Sequence, residues 1–195
     1  MNEKSYNELH QWTKQYIDDL CIVRNTRMPG KIPGTSYSWI FYLRRGLFNH
    51  QFLSAISQMF YYQVSKHLGH FNFQIAGLET ASTPLLAGIP LIGRALGHDI
   101  NAFSIRKERK QYGLRNWIEG LPNDLPVLLV DDLCNSSDSL YTARAICEQE
   151  RIQCCDTCFV IVNKTNDEHN VTDKYMDTNI RIISLFNLSD FGLTN

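Results

Sequence analysis

The stretch VLLVDDLCNSSDSL, from Val127 to Leu140, ends a short apolar run in two adjacent carboxylates, Asp131 and Asp132. A turn of amide, hydroxyl and acid residues follows, Asn135, Ser136, Ser137, Asp138 and Ser139, before an apolar pattern resumes. Two charged groups at the end of a buried strand need either solvent or a ligand. They can accept a pair of sugar hydroxyls or steady a cationic centre. A polar turn at a helix start can hold a phosphate with backbone N–H groups and hydroxyls. The plainer alternative is that Asp138 or Ser137 caps the helix and both aspartates are solvated.

Two other clusters could carry chemistry. The charged stretch RKERKQYGLRNWIEGLPND follows the strand-like INAFSI; it is too polar for a core element and reads as a long mobile loop. Taken alone it is a solvated surface. Its place between a strand and the acid pair shifts the reading from a solvated surface toward a functional loop. Cys154, Cys155 and Cys158 form a C-C-x-x-C cluster, which invites a zinc or redox reading. A second ligand pair is missing, and the cluster lies in the β-rich run CCDTCFVIV. Strand alternation would put Cys154 and Cys158 on one face and Cys155 on the other, as small core residues.

The elements that must position these groups follow from periodicity. Ser5 and Glu8 form an S-x-x-E capping-box pattern, with Leu9, Trp12, Tyr16, Ile17 and Leu20 on one helical face behind it. RNTRMPGKIPGTSYS reads as a loop and SWIFYL as a strand. A helix spans about 49–68 with Gly69 as its stop, then come strand FQIAGL and a helix from about Thr83 that Pro90 should kink. PVLLVDD is a strand, DSLYTARAICEQE a helix, and CFVIV and IRIISLF are strands. The alternation predicts an α/β fold with a mainly parallel sheet flanked by helices, in which ligands bind at the carboxyl ends of strands. The 195 residues fit a single domain. Apolar residues make up 44%, charged residues 20%, and the formal net charge is −1, so no global basic field points to nucleic acid. No apolar run approaches the roughly 18 residues of a membrane helix, and the polar start MNEKSYNELH is no signal peptide. A cytoplasmic protein without nucleic-acid or membrane partners is expected. Receiver domains also end a strand in paired acids, but near the domain's beginning, whereas this pair follows two-thirds of the chain.

The strand, acid pair and polar loop resemble the phosphoribosyl-pyrophosphate signature of type I phosphoribosyltransferases. Three further stretches narrow the resemblance to the orotate phosphoribosyltransferase family. SYSWIFYLRRGLFN is similar to its N-terminal base-side strand, IAGLETASTPLLAGI to its pyrophosphate loop, and SIRKERKQYGLRNWIEG to its R-K-E-x-K-x-[YH]-G catalytic loop. The C-terminal IISLFNLSDFG also resembles the family, so the likeness runs from about residue 35 to 193. Four motifs in the right order are far more specific than one.

The resemblance implies a type I phosphoribosyltransferase-like fold, with an N-terminal helix and hood over 1–45 and a core over 46–195. It implies transfer of a phosphoribosyl group from phosphoribosyl pyrophosphate to a nucleobase, orotate first, another base second. A catalytically silent nucleotide-binding or regulatory module on the same fold is a third possibility. Asp131 and Asp132 would hold the ribose hydroxyls, stabilise a cationic ring and touch Mg²⁺ through substrate or water. Mg²⁺, Arg106, Lys107 and Lys110 would neutralise the departing pyrophosphate, with Lys110 catalytic. Glu79, Thr80, Ala81 and Ser82 would bind pyrophosphate oxygens through their amides, and Asn135, Ser136, Ser137, Asp138 and Ser139 the 5′-phosphate. A homodimer is implied by the family's loop exchange. The chain departs from the pattern in two places. Ser137 and Asp138 stand where the family usually has two glycines. A non-glycine residue at positive φ costs about 1–2 kcal/mol, and a carboxylate about 5 Å from a phosphate charge repels it by roughly 3 kcal/mol at an effective dielectric near 20. Asp138 is therefore expected to point away from the phosphate. On the base side, Asn163-Lys164 replaces an Asp-Arg pair, so Lys164 keeps a charge without the bidentate fork. Arg27 and Lys31 lie in the N-terminal loop without a clear counterpart.

Overall fold

The computed structural model describes residues 1–29, 36–109, 116–165, 170–172 and 179–194. Helix α1 (Glu3–Tyr16) begins earlier than the Ser5–Glu8 pattern suggests. Asn2 is its cap, its side chain accepting the Ser5 N–H at 2.9 Å, so the orphan amides lie one turn earlier than the expected box would serve. The helix runs into a π-helical turn, Ile17–Cys21. Tyr6, Ile17 and Cys21 are buried, with Leu9 and Tyr16 packed beside them, whereas Trp12 and Leu20 are exposed. The wider turn rotates the helical face, so the apolar stripe read at 3.6 residues does not continue to Leu20.

Strands β1 (Ile22–Pro29) and β2 (Ser36–Phe41) pair antiparallel into a hairpin that stands apart from the main sheet as a hood. β1 was not legible in a segment that reads as loop. Its register slips between Arg24 and Met28, with Asn25 at φ 55°, so it lacks clean alternation. Helix α2 (Arg44–Leu47) leads to α3 (His50–Leu68), capped by Asn49, which accepts the Gln51 and Phe52 N–H groups, and closed by Gly69 at φ +71°. After β3 (Gln74–Leu78) comes α4 (Thr83–Ala95), with Pro84 in its first turn. It continues as one helix through Pro90.

The remaining elements are β4 (Ala102–Ile105), β5 (Ile118–Glu119), β6 (Val127–Cys134), α5 (Asp138–Gln149), β7 (Cys154–Asn163), β8 (Asn170–Thr172), β9 (Asn179–Asn187) and a 3₁₀ turn, Leu188–Phe191. The sheet order is β5-β4-β3-β6-β7-β9-β8. Its five inner strands are parallel, and the short β5 and β8 close the two edges antiparallel. This is the α/β architecture expected from the alternation. Leu128 and Val130 of β6 face a core shared with α1, α3, α4 and the hood; Val127 and Leu129 face one shared with α5. Each such side chain, fully buried, contributes about 1.5–3 kcal/mol by area, which is why β6 reads as a continuous apolar run. Cys158 and Cys154 belong to the α5 side and Cys155 to the other, as alternation requires. The six cysteines are free thiols. No helix among the described residues is long and apolar enough to cross a membrane.

The chain leaves β3 for β4 on one side and then crosses to β6 on the other. The loops after β3 and β6 therefore diverge from neighbouring carboxyl ends, the crevice where such sheets hold ligands. Gly77 keeps them close. A Cβ there would lie 2.6 Å from Ser82 Cβ and collide with the Val130 carbonyl.

Candidate active site

The acid pair lies inside β6 rather than beyond it, because the strand pairs with β7 as far as Cys134. Asp131 is only 6% exposed, which corrects the expectation of a solvated strand end. The Asp132 N–H donates to Asp131 Oδ1 at 2.9 Å. Burial, and then the charge of Asp132, push the Asp131 carboxyl up to about 7, while the Lys107 ammonium pulls it down. Asp132 is raised by burial too, with the Asp131 hydrogen bond and the Arg44 guanidinium opposing. Each acid thus has its own cation: Lys107 from the segment after β4, and Arg44 from the turn that joins the hood to the core. Arg44 was missed because nothing local in LRR marks its partner, which is 88 positions away along the chain.

The loop after β6 turns directly into α5. Ser137 has φ +62°, so the left-handed geometry usual for glycine is retained with a serine. Its side chain is 4% exposed and its Oγ lies 3.4 Å from Cys134 Sγ. No side chain caps α5, which leaves its first-turn amides for another acceptor. Asn135 to Ser139, with Asp131, line a cavity of about 100 Å³. Asp138 is exposed and borders this cavity, and its Oδ2 accepts the Ser136 hydroxyl at 2.7 Å. Its carboxylate is turned back on its own loop.

The loop after β3 carries Glu79, Thr80, Ala81 and Ser82, with a cis peptide between Glu79 and Thr80. Ser82 is buried and donates to the Leu78 carbonyl at 2.6 Å. Its hydroxyl is spent on the backbone. Glu79 N–H donates to the Ile105 carbonyl at 2.8 Å, and Glu79 Oε1 accepts the Lys107 N–H at 3.3 Å. The segment after β4 is thereby tied to the loop after β3. Arg106 pairs with Glu119 at 2.7 Å, and its N–H donates to the Trp117 carbonyl, so its guanidinium joins the two ends of the charged segment. Arg106 Nε and Trp117 Nε1 are buried without a hydrogen-bond partner among the described residues. Lys110 lies outside the described residues, as does Lys31; Arg27 is exposed on β1. Lys164 sits at the end of β7, its Nζ 4.7 Å from the Trp39 ring of the hood. Asp131, Lys107, Glu79, the loop of Asn135 to Ser139 and Lys164 all lie at the carboxyl ends of β3, β4, β6 and β7.

The residues fit a Mg²⁺-bearing substrate better than a protein-held metal. Among the described residues no three His, Cys, Asp or Glu side chains gather to hold an ion. Two carboxylates beside an anion cavity match Mg²⁺ bound through one or two acids, waters and substrate phosphates.

This topology is that of the type I phosphoribosyltransferase fold. The solved structure of Mycobacterium tuberculosis H37Rv orotate phosphoribosyltransferase in complex with Fe(III) dicitrate superposes with TM-score 0.74 at 21% identity, over 95% of this chain and 99% of that one. The same enzyme in complex with phosphoribosyl pyrophosphate gives 0.60 at 19%, over 98% and 94%. No family model matches the sequence. Among curated proteins, orotate phosphoribosyltransferase of Corynebacterium glutamicum is 32% identical over 122 residues, and the match spans 61% of this chain and 61% of the relative's length. Orotate phosphoribosyltransferase of Leptospira biflexa is 23% identical over 194 residues, 98% of this chain and 100% of the relative.

Proposed function

We propose that the protein transfers the 5-phosphoribosyl group of phosphoribosyl pyrophosphate to a ring nitrogen of orotate. The ribose C1–oxygen bond to pyrophosphate breaks, a C1–nitrogen bond forms, and the base nitrogen loses its proton. The observation that carries this reading is the adjacent pair of buried Asp131 and half-buried Asp132, running into an uncapped helix start with a phosphate-sized cavity. The acids accept the ribose hydroxyls and stabilise positive charge as the leaving group departs. The amides and hydroxyls of Asn135, Ser136, Ser137 and Ser139 take the 5′-phosphate. Lys107, beside Asp131, faces the pyrophosphate with the amides of Glu79 to Ser82, and Lys110 completes the anion site from the same charged segment. Arg106 joins them once it exchanges Glu119 for phosphate oxygens. Asp131 and Asp132 are the residues that would face Mg²⁺ carried on the substrate, which would supply neutralisation of the pyrophosphate charge. The working unit is a cytoplasmic homodimer of one hooded domain, which sedimentation at twice the chain mass would support.

Asp138 favours a second reading, binding without turnover, because its charge stands at the cavity that would hold a phosphate. One assay separates the two. Pyrophosphate release is followed with phosphoribosyl pyrophosphate, Mg²⁺ and a panel of orotate, uracil, adenine, hypoxanthine and guanine. Release with orotate is expected. Release with another base alone reassigns the acceptor, and no release with any base, together with calorimetric binding of phosphoribosyl pyrophosphate, identifies a silent module.

A further inference from the structure

Lys164 immediately follows β7, and its backbone is held from two sides. Its N–H donates to the Cys134 carbonyl at 2.7 Å, at the start of the loop that carries the anion cavity. Asn163 beside it is 1% exposed, and its Oδ1 accepts the N–H and the hydroxyl of Thr165 at 3.0 and 2.9 Å. The side chain then rises to the hood, where the ammonium stands 4.7 Å from the centre of the Trp39 ring. Trp39 is fixed in turn. It meets Phe41 edge-on at 5.7 Å, and Phe41 meets Phe191 edge-on at 5.5 Å, which anchors the indole in the larger core.

A lysine is a compact charge on a flexible stem, whereas an arginine brings a rigid fork that orients itself on a carboxylate. A lysine that must read an anion at a fixed place needs something else to aim it. Burial lowers the Lys164 pKa, so its ammonium is partly stripped of water, and the attraction of a cation to an aromatic face strengthens as water is removed. We propose that Trp39 is a specificity-determining residue of the base site: its indole aims the Lys164 ammonium so that a single cation reads an anionic substituent on the acceptor heterocycle. This inference rests on the phosphoribosyl-transfer reading and assigns the side chain that supplies the orientation a guanidinium would bring by itself.

The test uses two nucleotides that share the ring and the phosphoribosyl group and differ by one ring carboxylate, orotidine 5′-monophosphate and uridine 5′-monophosphate. Calorimetric titration compares wild type with Trp39→Leu, Trp39→Phe and Lys164→Met. Wild type is expected to favour the carboxylated nucleotide. That preference should fall by about tenfold or more in Trp39→Leu and Lys164→Met and survive largely in Trp39→Phe, which keeps a π face. Uridine 5′-monophosphate should bind all four proteins alike. If Trp39→Leu does not fold, proton spectra of the wild type decide: the Lys164 ε-methylene should be shifted upfield by the indole and stay shifted on adding the carboxylated nucleotide. Equal binding of the two nucleotides to wild type, an unchanged preference in Trp39→Leu, or an unshifted ε-methylene overturns the proposal and leaves phosphoribosyl binding intact. Failure of both nucleotides to bind wild type overturns the proposal and the underlying reading together.

Discussion

Asp131 shows how one buried group ties stability to its own protonation. Its folded-state pKa, about 7, lies above the ordinary 3.8 because of burial and Asp132. Between those values the folded chain binds more protons than the unfolded chain. Stability is therefore greatest at the acid end of this window and falls as pH rises through it, by about 2–4 kcal/mol, before levelling above pH 7. Asp131→Asn keeps the acceptor for the Asp132 N–H and removes the charge. It should melt higher than wild type at pH 8 and much like it at pH 4, while turnover drops by about 10²-fold or more. Thermal melts at the two pH values with one rate measurement check this; a lower melt at pH 8 would show that the folded protein stabilises the carboxylate. Lys107→Met should raise the Asp131 pKa further, since the ammonium favours the ionised form, and so move the acidic limb of the kcat/KM profile to higher pH. A limb that stays in place would take Lys107 out of the pair's field. The acids were legible from four apolar residues running into Asp-Asp. The burial of Asp131 was not, because it depends on β7, which pairs alongside it from 29 positions further along the chain. Trp39, Arg44 and Glu119 were missed for the same reason: each acquires its role from a partner that only the fold brings near. The left-handed backbone at Ser137 was foreseeable from the glycine its neighbours in the motif usually flank.

The loops at the carboxyl ends work only because the strands beneath them are set close. Gly77 is the narrowest point, and its replacement tests the loop after β3 as a unit. Gly77→Ala forces a methyl group onto Ser82 and the Val130 carbonyl. It should cost about 3 kcal/mol or more in chemical denaturation and weaken phosphoribosyl pyrophosphate binding in whatever fraction folds, since Ser82 and the end of β6 move together. A variant with wild-type stability would mean that β3 and β6 can separate there without loss. Helix α3 was legible at both ends and α4 at its start because Asn49, Gly69 and Pro84 act locally as cap, stop and first-turn residue. β1 was not legible. Arg24, Asn25 and Pro29 read as turn residues, and a two-stranded hood has only one neighbour to impose alternation. β5 was hidden in the charged segment, since two residues carry no period.

At the scale of the molecule, the order of strands and helices sufficed for a parallel α/β sheet, and the crossing from β3 to β6 placed the site at its carboxyl edge. What the order could not supply was the contact between hood and core, which rests on long-range pairs such as Lys164 with Trp39. Ligand binding should be felt throughout. Phosphoribosyl pyrophosphate with Mg²⁺ at about 100 times its Kd should add about 2.7 kcal/mol of stability, a rise in Tm of roughly 5–11 °C for a chain of this size. Removing Mg²⁺ with a chelator should cancel most of that rise; a shift that persists without the metal would assign the charge neutralisation to the protein alone. The edges of the sheet carry a different consequence. β5 and β8 are two and three residues long, and each lies antiparallel against the last inner strand on its side. A growing fibril recruits molecules through long, unpaired strand rims that offer a ladder of free amides. Outermost segments this short give strand addition little to grip, and the protein should tolerate high concentration without forming thioflavin-positive aggregates until heat or denaturant strips one of them away.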